Sequence, residues 1–253
     1  MKKKFELTEE TIQCNGHTLY RIKALKDFSD VTKGDIGGFV EKEDNLFQGG
    51  KCWIYDEAKV FENAKVFDDA CVYERAKVYG NAEICGNSFI SDNAQVYDKA
   101  KVYDNAQVYG DAQVCGNAEI IGNAQIHDKA SIFDNAHIFD NANVYDDAIV
   151  FGYAIIDDNS FIFGNAQVYG DAKVYGQAEI CGNAEVKSIY DYIVFNNIFG
   201  DGSYVTWTRS NDMWKEGNFY GTGDKLINKA YEDSEKSGKK YEATVNYVSQ
   251  INN

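Results

Sequence analysis

Hydrophobic positions recur every six residues through the middle of the chain. From Ile54 to Val186 every sixth residue is Val or Ile, at 23 consecutive positions. The residue two before each later one, from Ala58 to Ala184, is Ala at 20 of 22 positions, with Ser88 and Ser160 as the exceptions. A unit reads Ala-x-Val-aromatic-Gly/Asp-Asn/Asp. Ala and Val lie two apart and so point to one side of a strand, while the residues between and after them point outward. Gly or an acidic residue, then Asn or Asp, forms a corner, because these types best tolerate left-handed backbone. Four extended residues and a two-residue corner leave no room for a helix. Sides this short close most simply as a triangle, with three sixes or 18 residues per coil. The pattern predicts a mainly β, parallel, triangular solenoid of about seven coils, roughly 35 Å long at ~4.8 Å per layer.

Stacking by 18 sorts the outward positions into columns. Asn87, Asn105, Asn123, Asn141 and Asn159 form one corner ladder, suited to amide hydrogen bonds along the axis. Three outward columns are rich in aromatics, beginning at Tyr55, Phe61 and Phe67. Such ladders stabilise a sheet face by pairwise contacts. One stretch is unusually apolar for outward positions: Ile149, Phe151, Tyr153, Ile155, Phe161 and Phe163. An apolar patch on a protein surface is normally covered.

The flanks do not repeat. Residues 1–51 read as an N-terminal β cap, with strands FELTEETIQ and HTLYRIKAL around an Asn15-Gly16 turn. An open solenoid end needs such a cap. Residues 52–187 are the repeat, and 188–253 form a small α+β module. In that module YDYIVFNNI, SYVTWTRS and MWKEGNFY predict three strands, with turns at Gly200-Asp201-Gly202 and Asn211-Asp212. A helix starts at Thr222-Gly223-Asp224, breaks at Ser237-Gly238, and a second follows from Tyr241 to Ile251.

The repeat from Ile54 to Val186 resembles the hexapeptide repeat of left-handed parallel β-helix proteins, the fold of many acyltransferases. It departs from that family by placing Tyr or Phe directly after the aliphatic residue and Gly one later. The resemblance implies left-handed winding, which spacing alone does not determine. Asp27-Phe28, Gly34, Gly37-Gly38-Phe39-Val40, Asn45-Leu46 and Cys52-Trp53-Ile54-Tyr55-Asp56 resemble the N-terminal signature of an uncharacterised, acetyltransferase-like bacterial group. Thr206-Trp207-Thr208-Arg209-Ser210 and Phe219-Tyr220-Gly221-Thr222-Gly223 resemble a C-terminal module of tailed-phage and gut-bacterial proteins of unknown function.

Charge changes the picture of partners. The 253-residue chain carries a formal charge of −15, and residues 51–186 alone hold 9 basic and 22 acidic residues. A basic nucleic-acid groove on the rod is therefore not expected. There is no long apolar run, and MKKKFELTEE lacks the apolar core of a signal peptide. The six cysteines form no CxxC pair, and Cys85, Cys115 and Cys181 stand where other repeats have Tyr or Phe. Reduced thiols in a cytoplasmic setting fit this better than zinc or disulfides. A phage-encoded chain would act in the host cytoplasm. Calcium-binding β-rolls use a nine-residue period, so the acidic corners predict no metal.

Candidate chemistry is sparse. Acyl transfer on the resembling fold implies a His general base at a subunit boundary, beside a projecting loop that helps hold acyl-coenzyme A. Only His127 and His137 lie in the repeat, both at outward positions, and no extra residue interrupts 54–186. The expected function is a non-catalytic binding, sequestering or interaction protein without a cofactor. It is expected to be a homotrimer and to act on a protein or a small anionic ligand. Its binding residues would be Phe151, Tyr153, Phe161, Phe163, Trp207, Arg209, Trp214 and Tyr220. The alternatives are an acyltransferase using acyl-coenzyme A and an acidic nucleic-acid mimic that inhibits a nucleic-acid enzyme.

Overall fold

The computed structural model describes residues 3–196 and 202–252. Twenty-three two-residue strands, β4 (Trp53–Ile54) to β26 (Glu185–Val186), run around a triangular β-solenoid. They follow a hairpin of β1 (Phe5–Cys14) and β2 (His17–Ala24), and β3 (Ile36–Val40). Residues 18 apart pair in parallel, as Val96 does with Val114. Amides on either side of each aliphatic residue donate to carbonyls of the coil above, for example Gln113 N to Ala130 O at 2.9 Å and Cys115 N to Ile132 O at 2.9 Å. Face I is an 11-stranded sheet from β1 to β26, face II an 8-stranded sheet from β4 to β25, and face III a 7-stranded sheet from β6 (Lys65–Val66) to β24 (Lys173–Val174).

The core is the sequence pattern made solid. Every repeat Ala and every repeat Val or Ile is fully buried. Ser88 and Ser160 occupy alanine slots, and their hydroxyls donate to Cys85 O and Asp157 O at 2.6 and 2.7 Å. This satisfies the polar atom within an otherwise apolar column. Two positions after each aliphatic residue from Ile54 to Ile180 the backbone turns left-handed, as at Asp98 (φ 60°), Gly116 (φ 71°) and Asp134 (φ 60°). A corner carboxylate then accepts the N–H one coil on, as Asp98 Oδ2 does from Gly116 N at 3.2 Å. The asparagine ladder forms as expected, with Nδ2 to Oδ1 distances of 3.0–3.2 Å from Asn87 to Asn159.

The coil begins earlier than the strict hexads. β3 pairs in parallel with Lys59–Val60 (β5), and Leu46 bridges to Val66, so the rod has about eight coils rather than seven. Eight residues, not six, separate Leu46 from Ile54. The Gly37-Gly38 pair allows β3 to cross tightly, because a Cβ on Gly38 would lie 2.6 Å from Ala58 O. The hairpin is tied down by buried Lys4, whose ammonium donates to Gly49 O and Cys52 O at 3.0 and 2.8 Å. Arg21 lies over the Phe39 ring at 4.0 Å and pairs with Glu10 and Glu57.

The C-terminal module has four antiparallel strands, not three: β27 (Tyr192–Asn196), β28 (Tyr204–Thr208), β29 (Met213–Glu216) and β30 (Phe219–Gly221). Gly217, at φ 49°, splits the MWKEGNFY segment into a hairpin. Helices α1 (Gly223–Asp233) and α2 (Glu235–Asn252) follow. The helix break falls at Ser234, whose hydroxyl accepts from Ser237 N at 3.0 Å. Gly238 instead lies inside α2, where a Cβ would strike the Tyr231 ring at 2.2 Å. The expected Gly200-Asp201 turn and residues Asn197-Ile198 lie outside the described residues.

The module closes the rod's own end. Near the final coil, amides that would otherwise seek a further coil meet hydroxyl oxygens instead. Tyr175 N donates to Tyr192 Oη at 3.3 Å, Glu179 N to Thr206 Oγ1 at 3.0 Å, and Glu185 N to Ser210 Oγ at 2.7 Å. Lys215 adds an ion pair to Glu179 at 2.7 Å.

Two corners separate conformational from steric cost. A Cβ on Gly116 would stand 2.7 Å from Asp134 O, whereas one on Gly176, at nearly the same φ, would meet nothing within 4 Å. Urea denaturation midpoints should show Gly176→Ala costing about 1 kcal/mol and Gly116→Ala about 2–4 kcal/mol.

Candidate functional site

Two of the three outward columns, on faces I and II, form runs of stacked rings. On face II, Tyr109, His127, Tyr145 and Phe163 stack at centroid distances of 4.8, 5.0 and 5.0 Å, with interplanar angles of 6°, 4° and 3°. Where Ser91 interrupts this column, Phe89 from the neighbouring outward position fills the gap, 6.2 Å from Tyr73 and 6.3 Å from Tyr109. Face I carries Phe61, Tyr79 and Tyr97, then Phe133, Phe151 and Tyr169, with Cys115 between the two runs. Burial raises the pKa of the Tyr109 hydroxyl and pushes that of Tyr145 up to about 12. Burial likewise raises the thiol of Cys181 to about 12 and that of Cys85 to about 11, so neither is a ready thiolate at neutral pH.

The two repeat histidines have different surroundings. His127 is clamped between two tyrosine rings, with Nδ1 3.0 Å from Asp128 Oδ2 and Nε2 3.0 Å from Asn143 Oδ1. Both ring nitrogens are occupied. His137 sits on face III, stacked on Phe139 at 5.6 Å. Its Nδ1 lies 3.5 Å from Glu119 Oε2 and makes no hydrogen bond among the described residues. Glu119 also pairs with Lys101 at 3.2 Å.

The apolar stretch 149–163 is contiguous in sequence and divided in space. Each hexad turns to a new face, so Ile149 and Phe151 lie on face I, Ile155 on face III, and Phe161 and Phe163 on face II. Tyr153 is a corner residue, 65% exposed. The module reaches the face II members, where the Lys215 ammonium lies 5.6 Å from the Phe163 ring. Trp207 and Trp214 are buried in the module's own core, and Trp207 Nε1 donates to Asp212 Oδ1 at 2.8 Å. Arg209 and Tyr220 are exposed, and Tyr220 Oη accepts from Asn211 Nδ2 at 3.2 Å. The structure thus joins Phe161 and Phe163 to the module and separates them from Phe151.

Acidic groups line the corners. Carboxylate oxygens of Asp140, Asp157 and Asp158 approach within 4.8 Å, the spacing of a cation site. Asp158 already accepts from Gly176 N at 2.9 Å, and Asp157 accepts from Asp158 N at 2.7 Å. Asp92, directly above Glu74 in its column, raises the Glu74 pKa through like-charge repulsion.

The hexad pattern does not predict the cavity at the start of the rod. Beside the eight-residue spacing, a cavity of about 560 Å³ opens between Leu46, Phe47, Val66 and Phe67. The lengthened spacing itself is visible in the sequence.

Comparison with known proteins supports the repeat. Residues 112–128, just under one coil, match the family model described as YdcK Beta solenoid repeat. This chain folds as a β-solenoid of six-residue repeats. A 42-residue stretch is 45% identical to "Uncharacterized acetyltransferase YdcK" of Escherichia coli (strain K12). That stretch covers 17% of this chain and only 13% of the YdcK protein. The YdcK-type match contains His127 and Asp128 but not His137.

Two measurements follow from this geometry. His127→Phe should retain the ring stack and the melting temperature, while His127→Ala should cost about 1 kcal/mol in denaturation experiments. Glu74 has a raised native pKa, so its charge destabilises the fold above that pKa, and the penalty fades as pH falls through it. Glu74→Gln should therefore raise the melting temperature at neutral pH, with the gain vanishing on acidification.

Proposed function

We propose that this chain is a non-catalytic interaction protein, a stiff rod that presents flat aromatic columns to other surfaces. The observation that carries this reading is the state of His127. It is the repeat histidine within the YdcK-like segment, and it serves as one rung of a ring stack with both nitrogens engaged. A general base needs a nitrogen free to take a proton from an acceptor group. The unbroken register from Ile54 to Val186 points the same way, since it leaves no projecting loop beside the rod.

Self-association is part of the proposal. Face I exposes a half-buried strip of Phe133, Phe151 and Tyr169 with Ile149 beside it. Three copies packed side by side would cover such strips, which isolated rods leave in water. Partner proteins would meet the same aromatic surfaces or the exposed Tyr220 and Arg209 of the module.

An acyl-transfer reading draws on the description of the YdcK relative and on His137. Its unbonded Nδ1 next to Glu119 is the arrangement of a histidine oriented by a carboxylate. The two readings part in one assay. With acetyl-coenzyme A and a panel of amine and hydroxyl acceptors, the proposed interaction protein should give no turnover above that of a His127→Ala/His137→Ala double variant. Turnover abolished by His137→Ala alone would establish the acyl-transfer reading instead. Native mass spectrometry of the same preparation should show a trimer.

A further inference from the structure

The ring stacks obey a simple rule, and one place breaks it. Outward rings one coil apart stack closely, as Tyr55 does on Tyr73 at 4.4 Å and Phe61 on Tyr79 at 5.0 Å. Phe47 and Phe67 are likewise one coil apart on face III, and the Phe47 N–H donates to Val66 O at 2.9 Å. Their backbones are in register, yet among the described residues no ring contact joins them. The cause lies in the two additional residues between Leu46 and Ile54. They let the Phe47 ring fold over Gly49, where a Cβ would stand only 2.7 Å from Phe47 Cε1.

The cavity of about 560 Å³ occupies this gap. Its apolar walls are Leu46, Val66 and the two rings, and Phe47 itself is 58% exposed. Gln48 also lines it, with Oε1 held by the Lys4 N–H at 2.7 Å and Nε2 buried without a hydrogen-bond partner among the described residues. A buried unpaired donor is costly, and an acceptor brought by a ligand relieves that cost. The charges at the rim disfavour anions. Asp44 and Asp68 outnumber Lys65, while Glu43 is neutralised by Lys3 at 2.7 Å.

We propose that this corner binds an uncharged planar nitrogen heterocycle of the nucleobase type, which fills the gap between Phe47 and Phe67 and accepts a hydrogen bond from Gln48 Nε2 once the amide, closed to solvent in this structure, turns toward it. Aromatic side chains receive bases through their π faces, and a glutamine amide matches the hydrogen-bonding edge of adenine. The inference does not depend on whether the rod is catalytic.

The test is calorimetric titration of the full chain with adenosine and with AMP, which share a base and differ in a phosphate. Adenosine should bind saturably, one per chain, and AMP should bind several-fold more weakly. Phe67→Ala should weaken adenosine about tenfold or more. Gly49→Ala should do the same, because its methyl group displaces the Phe47 ring while its backbone conformation is open to alanine. Phe133→Ala, in the face I stack, should leave binding unchanged. Circular dichroism would confirm that each variant is folded. Absence of saturable adenosine binding, unchanged affinity in folded Gly49→Ala and Phe67→Ala, or AMP binding as tightly as adenosine would each overturn the proposal.

Discussion

Each coil of this rod depends on the coil above it for its backbone hydrogen bonds. A two-residue strand has almost no stability alone, and none of these sides could bury its Val and Ala without neighbours. The amide N–H to carbonyl ladder between coils is therefore the interaction that everything else serves. The left-handed corners turn the chain from one side to the next, and the corner carboxylates take up N–H groups that the turn would leave unpaired. The ladder also creates the problem at each end. The hairpin and buried Lys4 solve it at the first coil, and the hydroxyls of Tyr192, Thr206 and Ser210 solve it at the last.

The same regularity governs the surface chemistry. A fixed spacing of about 4.8 Å between layers suits the contact distance of flat rings, so aromatics placed outward once per coil stack without further design. A histidine in such a column is absorbed into it, as His127 is. Reactive geometry needs departures from repetition, and the described departures are few. The lengthened spacing before Ile54 produces the corner cavity, and the module beside Phe161 and Phe163 makes the other irregular surface.

Much of the architecture was legible in the sequence because period and burial are the same fact here. The hexad named the Ala and Val or Ile core of the repeat, the corners and the asparagine ladder, but not the cores of the cap and the module. Positions that depend on three dimensions were harder. Ile149 to Phe163 read as one patch, but a solenoid distributes neighbouring hexads over three faces. Trp207 and Trp214 read as surface anchors, yet a small module uses its largest rings to build a core. Ser237-Gly238 read as a helix break, while the hydroxyl of Ser234 supplies the cap and Gly238 makes room for Tyr231. The cavity at Phe47 does not follow from the hexad period, because it arises at the eight-residue interval from Leu46 to Ile54, where that period is broken.

The unbroken register has a consequence for how such a chain changes length. Gain or loss of 18 residues adds or removes one layer and returns every later side chain to its own face. Gain or loss of six rotates everything beyond it by a third of a turn, moving the module from one face to the next. The gene for this rod is in effect a ruler with two scales. One sets how far apart the two ends stand, and the other sets the direction in which the far end looks.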